Sequence, residues 1–270
     1  MKESNMAYTK RGRRLGRALA IAAAAALAGT VMVGQPATAQ PADDGTAAAS
    51  GFAANANPQG IDVSNWQGSI NWTSVRNAGI EFAYIKATEG TSYKDPRFNT
   101  NYPNAYYAGV IRGAYHFALP NVSSGATQAN YFVNNGGGWS RDNLTLPGAL
   151  DIEWNPYGAT CYGLSQTAMR NWITDFSNTY KSRTGRDPVI YTAASWWNQC
   201  TGNWTGRSAI NPLWVAHYTT GSPAIPAGWG FYTMWQYTSS GSVAGIAGNI
   251  DRNVFNGTRA RLLALANNTP

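Results

Sequence analysis

The chain has 270 residues, of which 44% are hydrophobic and only 12% charged, which excludes a disordered polyelectrolyte and suits a packed core. A formal charge of +7 would fit a nucleic-acid or anionic-membrane partner, but it is unevenly placed. Residues 1–39 hold six cations and one acid, so residues 40–270 keep a net charge of only +2, too little for either partner.

The N-terminus opens on Lys10, Arg11, Arg13, Arg14 and Arg17. An Ala-dominated apolar run from Ala18 to Val33 follows, and Ala37-Thr38-Ala39 forms a small-x-small site before Gln40. Residues 1–39 therefore read as a secretory signal peptide. The run falls short of the roughly 20 residues a membrane span needs, which disfavours an anchor. An extracellular, secreted product follows, with no membrane association after cleavage. Residues 40–58 are Ala, Gly, Asp and Asn without periodicity, a disordered leader. Residues 59–270 suit one domain, expected to be a monomer.

Within that domain, short apolar strands alternate with helical segments. Strands are predicted over Gly60–Ser64, Glu81–Ala87, Ile111–Ala118, the stretch "LPGALDIEWNP" (146–156) and Asp187–Thr192. Helices are predicted over Trp72–Ala78, Asn101–Ala108, Thr127–Asn134 and Gln166–Arg183. After that the helices fade, and Pro212–Tyr218, Phe231–Thr238 and Gly248–Phe255 read as three further strands between Gly/Pro/Ser loops. Alternating βα units imply a parallel sheet, and eight strands can close into a barrel made irregular by the last three. An open doubly wound sheet is the alternative.

Carboxylates are scarce: residues 40–270 have twelve. Four of them, Asp62, Asp151, Glu153 and Asp251, fall within or at the ends of the first, fourth and eighth strands. Side chains two apart on a strand share a face, so Asp151 and Glu153 share a site. Crowded acids raise at least one pKa and keep a proton donor beside ionised carboxylates, the requirement for glycosidic cleavage. The structural alternative is neutralisation of buried Lys86 and Arg112 as ion pairs, but two cations against four acids leave a surplus.

Aromatic and amide groups accompany the strand ends: Trp66, Tyr84, Tyr115, Tyr191, Trp214, Tyr218, Trp235, Gln236 and Tyr237. Such groups stack on sugars and bond their hydroxyls, although many rings must serve the core. Tyr84, Lys86, Tyr115, Tyr191, Tyr218, Trp235 and Gln236 are the candidate substrate contacts. His116 and His217 could join Asp151 and Glu153 around zinc, but no His-x-x-x-His or Cys-x-x-Cys spacing supports a metal, and no cofactor is expected. Cys161 and Cys200, placed in adjacent loops after the fourth and fifth strands, fit a disulfide in an exported protein.

The segments "GIDVSNWQG", "FAYIKATEG", "RGAYHFA", "ALDIEWN", "PVIYT", "LWVAHY" and "WQYTSSGSVAGIAGNID" resemble, in order, the motifs of family-25 glycoside hydrolases, the Chalaropsis-type lysozymes. The resemblance implies an irregular (β/α)5β3 TIM-like barrel and β-1,4-N-acetylmuramidase activity on cell-wall peptidoglycan. It makes Glu153 the general acid/base and Asp151 the group that orients the 2-acetamido substituent or stabilises developing positive charge. Asp62 and Asp251 would tune the site. Whether a carboxylate or the substrate's own acetamido group attacks the sugar stays open. A glycosidase acting on chitin-like polymers and a non-catalytic glycan-binding barrel are the alternatives.

Overall fold

The computed structural model describes residues 57–270; the signal peptide and all but the last two residues of the leader lie outside the described residues. Five strand–helix units come first: β1 (Gln59–Val63) with α1 (Trp72–Asn77), then β2 (Ile80–Glu89), whose hairpin arm is β3 (Tyr93–Lys94), with α2 (Phe98–Tyr107). β4 (Ile111–Phe117) leads to α3 (Gly125–Phe132), and β5 (Ala149–Asp151) to α4 (Gln166–Thr184). β6 (Val189–Thr192) runs almost directly into α5 (Ala194–Thr201). Three strands without intervening helices follow, β7 (Leu213–Ala216), β8 (Met234–Gly241) and β9 (Ile250–Phe255), and α6 (Arg259–Asn267) ends the fold.

The strands lie in the order β1, β9, β8, β7, β6, β5, β4, β2, and β1 pairs back onto β2. That last pairing closes an eight-stranded barrel and sets aside the open sheet. β9 runs antiparallel to both β8 and β1, whereas the other neighbours around the barrel are parallel. The reversal matters for the site. An acid at the start of an antiparallel strand reaches the same mouth as acids at the ends of parallel ones.

Period-2 alternation divides the apolar residues into two layers. Phe82, Tyr84, Ile111, Ala149, Val189, Trp214, Met234 and Phe255 fill the barrel interior, and Leu262 and Ala266 of α6 pack into the same cluster. Ile61, Val63, Ala83, Ile85, Leu150, Ile190, Leu213 and Val215 face outward and join the helices in a second cluster. The interior is crowded enough to dictate Gly113 on β4: a Cβ there would lie 2.4 Å from the ring of Tyr84.

Two helices are missing from the sequence reading. α5 follows β6 after a single residue, with no loop to mark its start, and Ala193 at its N-cap provides no side-chain cap. α6 did carry a signal, since Thr258 accepts a hydrogen bond from the amide of Arg261 as an N-cap. The α5 helix also corrects the setting of the cysteines. Cys161 lies in the loop after β5, but Cys200 is in the last turn of α5 rather than in a loop, and the two form a disulfide with Cα atoms 5.3 Å apart. The bond spans 39 residues, and chain-entropy reasoning assigns such a cross-link about 4 kcal/mol. A Cys161→Ser/Cys200→Ser variant is expected to melt roughly 8–16 °C lower by calorimetry, as about 2–4 °C accompanies each kcal/mol in a domain of this size.

Candidate active site

The barrel mouth is assembled from inward positions one layer above the apolar interior. On β1, Ile61 and Val63 face out, so Asp62 faces in, and its register partner on β9 is Asp251. On β5, Asp151 is the last inward residue, and Glu153 stands two positions further on, past the end of the strand. The four acids therefore meet at one end of the barrel, although the β-strand carries only Asp151 of the Asp-x-Glu pair.

Asp62 is held by fixed donors. Gln236 Nε2 and Asn253 Nδ2 donate to its Oδ2 at 2.9 and 2.8 Å. Gln236 is itself clamped, because its Oε1 accepts from the hydroxyls of Tyr191 at 2.9 Å and Tyr218 at 2.8 Å. Asn253 Oδ1 accepts from Trp214 Nε1 at 2.8 Å. Asn253 escaped the sequence reading, yet it lies two residues after Asp251 on one strand and shares its face; period 2 would have found it.

Asp151 and Glu153 have no such support. Their carboxyl groups are in hydrogen-bonding contact with each other, and Oδ1 of Asp151 is buried without an N–H or O–H partner. Two carboxyls in contact need a proton between them, and burial favours its retention. Desolvation raises Glu153 to about 7, and it raises Asp151 well above the usual carboxylate range, with the charge of Glu153 adding to the effect. Burial likewise pushes Asp62 to about 6, opposed by its two amide donors, and Asp251 to about 8, helped by repulsion from Asp62. Such a cluster contains both a protonated and an ionised carboxyl near neutral pH.

The ion-pair alternative fails on geometry. Lys86 Nζ bonds Glu89 at 2.6 Å, and Arg112 faces Asp142 at 3.5 Å, so neither cation is salt-bridged to the four acids. Arg112 also donates to Leu144 O and lies over the rings of Tyr102 and Tyr106. Lys86 contributes only a longer-range field that partly offsets the rise at Asp151 and Glu153.

Several proposed substrate contacts need correction. Tyr84 is fully buried, donates to Pro147 O at 2.9 Å and stacks on Trp214, so it is a core residue. Lys86 is engaged by Glu89 and lies over the rings of Tyr93 and Phe117. Tyr191 and Gln236 are buried in the network that orients Asp62, which makes them positioning residues. Trp235 alternates with the inward-facing Met234 and Gln236, so its ring lies on the outer wall, and its Nε1 donates to His217 O at 2.7 Å. Tyr115 remains at the mouth, half-buried beside Asp62, Asp151 and Asp251. Tyr218 is 56% exposed.

The two histidines are separated from the acids as well. His116 is buried in the outer layer between Thr88 Oγ1 and Gln128 Oε1, and burial lowers its pKa to about 4. His217 Nδ1 accepts from the amide of Ala224. With both ring nitrogens engaged in the outer layer, His116 is not free to share a zinc with Asp151 and Glu153.

Raised carboxyl pKa values carry a stability consequence. The folded chain keeps protons at Asp62, Glu153 and Asp251 up to about pH 6, 7 and 8, whereas unfolded carboxyls release theirs near 3.8 to 4.5. Their stabilising contribution is therefore complete below about pH 4 and lost as the pH rises through the folded values. Asp251→Asn is expected to leave the melting temperature unchanged near pH 4 and to raise it by several degrees near pH 9. Equal shifts at both pH values would contradict the buried-acid origin.

The chain and its fold have counterparts among known proteins. The sequence model described as glycosyl hydrolases family 25 matches residues 61–246. The chain belongs to this family. Lysozyme M1 of Streptomyces globisporus is 67% identical over 211 residues, 78% of this chain and 72% of that protein. An N,O-diacetylmuramidase of Chalaropsis sp is 46% identical over 201 residues, 72% of this chain and 95% of that one. Among solved structures, the bacterial lysozyme from Streptomyces coelicolor has 66% identity and a TM-score of 0.79, covering 80% of this chain and all of its own. Family 25 membership makes the chain a glycoside hydrolase and agrees with the (β/α)5β3 barrel.

Proposed function

We propose that the chain is a secreted lysozyme that hydrolyses the β-1,4 bond between N-acetylmuramic acid and N-acetylglucosamine in bacterial peptidoglycan. The reading is carried by one observation: buried Asp151 and half-buried Glu153 stand on one face at the end of β5, at the barrel mouth with Asp62 and Asp251, and no cation is salt-bridged to them. Likeness to a lysozyme and an N,O-diacetylmuramidase supports peptidoglycan as the substrate and extends it to glycan acetylated on both nitrogen and oxygen. The signal peptide and the disulfide support an extracellular setting, with the barrel acting as a monomer.

Glu153 protonates the glycosidic oxygen as the bond to the sugar breaks, and the resulting carboxylate then draws the proton from the attacking water. On this reading Asp151 assists rather than attacks, because it stands two residues from Glu153 on the same face of the β5 end, beside the acid and not across the sugar from it. Asp151 instead accepts the N–H of the substrate's 2-acetamido group and turns its carbonyl oxygen toward the anomeric carbon. Its charge also balances the positive charge growing on the ring. Asp62, ionised above about pH 6 and fixed by Gln236 and Asn253, and Asp251 set the field in which the pair titrates.

Release of reducing ends from purified peptidoglycan tests the assignment, and its pH dependence tests the roles. The rate should rise with pH as Asp62 ionises near 6 and fall as Glu153 loses its proton near 7, giving a narrow maximum between them. A rate that climbs through about pH 8 would remove Glu153 as the acid.

A further inference from the structure

The absence of crossover helices after β7 leaves part of the barrel's outer wall bare. A cleft of about 770 Å³ lies there, lined by Gln59, Trp235, Tyr237, Thr238, Val254 and the Tyr218–Thr220 segment. Register explains why these residues share a surface. Trp235 is directly opposite Val254, and Val254 is directly opposite Gln59, so the three form a row across β8, β9 and β1. Tyr237 lies at a bulge in β8 and lines the same cleft, with its hydroxyl 3.5 Å from Gln59 Oε1.

The chemistry of this row differs from that of the mouth. No acid or base lines it. Trp235 and Tyr237 meet edge to face at 5.9 Å, and Tyr232 meets Trp235 at 6.1 Å, giving a run of three rings. Thr219, Thr220, Thr238 and Gln59 place hydroxyl and amide groups around them. Ring faces bordered by uncharged hydrogen-bonding groups match a sugar, whose faces are apolar and whose edge carries hydroxyls and acetamido groups. A protein partner's interface would more often add an apolar centre or a charged anchor.

The cleft is linked to the reactive site through one residue. Tyr218 borders it and donates to Gln236, which holds Asp62. Trp235 Nε1 anchors the same segment through His217 O. A polymer lying on the outer wall would therefore touch Tyr218, whose hydroxyl helps to fix Gln236 and through it Asp62.

We propose that the outer wall of β8, β9 and β1 is a second glycan-binding surface, which takes a run of N-acetylhexosamine units of the cell wall beside the mouth. The inference rests on the reading of peptidoglycan as substrate. It gives the barrel a means of staying on an insoluble polymer between cleavage events.

The test measures binding apart from turnover. In a Glu153→Gln background, co-sedimentation with purified insoluble peptidoglycan gives the concentration for half-saturation. Tyr237→Ala removes a ring, and Thr238→Arg keeps every ring but projects a guanidinium across the surface. Each is expected to raise the half-saturating concentration roughly 3–10-fold, the scale of one aromatic contact. In the Glu153 parent, the same two changes should leave hydrolysis of a short soluble N-acetylhexosamine oligosaccharide unaltered. Unchanged sedimentation of the folded Thr238→Arg variant would overturn the proposal, and so would an equal loss on the soluble substrate, which would put these residues in the mouth. If peptidoglycan is bound through this wall but never cleaved by the Glu153 parent, the muramidase reading fails while the surface stands.

Discussion

Glu153→Gln is expected to lower turnover on peptidoglycan by roughly 10²–10⁴-fold, the range that general acid catalysis contributes. The amide keeps the size of the side chain but cannot supply the proton that the departing sugar oxygen needs. The fold should survive. Glu153 stands beyond the end of β5, makes no salt bridge, and costs stability when ionised because burial opposes its charge. Melting curves near pH 9 should therefore place the variant at or above the parent, by the same sign that applies to Asp251. A variant that loses activity only by unfolding would show the reverse, so calorimetry separates the two causes.

Asp151→Asn is expected to reduce kcat by roughly 10²–10³-fold, the cost of removing one preorganised electrostatic partner of a transition state. KM should change much less, because asparagine retains the volume and can still hydrogen-bond the acetamido group. What it cannot do is carry the negative charge that balances the positive charge growing on the sugar ring. A loss confined to KM would make Asp151 a ground-state binding group instead. In wild type, Asp151 and Glu153 share protons through neutrality, so the falling flank of the pH profile reports the pair, with Glu153 as the member that delivers the proton.

The strand framework was legible because each strand carries its own apolar alternation. Ile61 and Val63 on one side of Asp62, or Leu150 and Ile152 on one side of Asp151, announce an acid that faces inward. Scarcity of carboxylates then made their concentration in three strands informative. Tertiary detail lay beyond that reach. No local signal reveals that β9 runs backwards, and only that reversal brings Asp251, at a strand start, opposite Asp62. The facing of the aromatic residues was less legible, because a ring near a strand end looks alike on either face. Tyr84 and Trp235 separate only when the inward register of Phe82 and Met234 is known. Lys86 reads as a candidate contact from its strand position, whereas Glu89, three residues on, engages it in the fold.

Mass spectrometry of fragments released from purified peptidoglycan tests the central claim most directly. Wild-type digestion is expected to yield fragments with N-acetylmuramic acid at the reducing end, and Glu153→Gln digestion to yield almost none. Fragments with N-acetylglucosamine at the reducing end, or the same products from Glu153→Gln, would contradict a muramidase that works through Glu153.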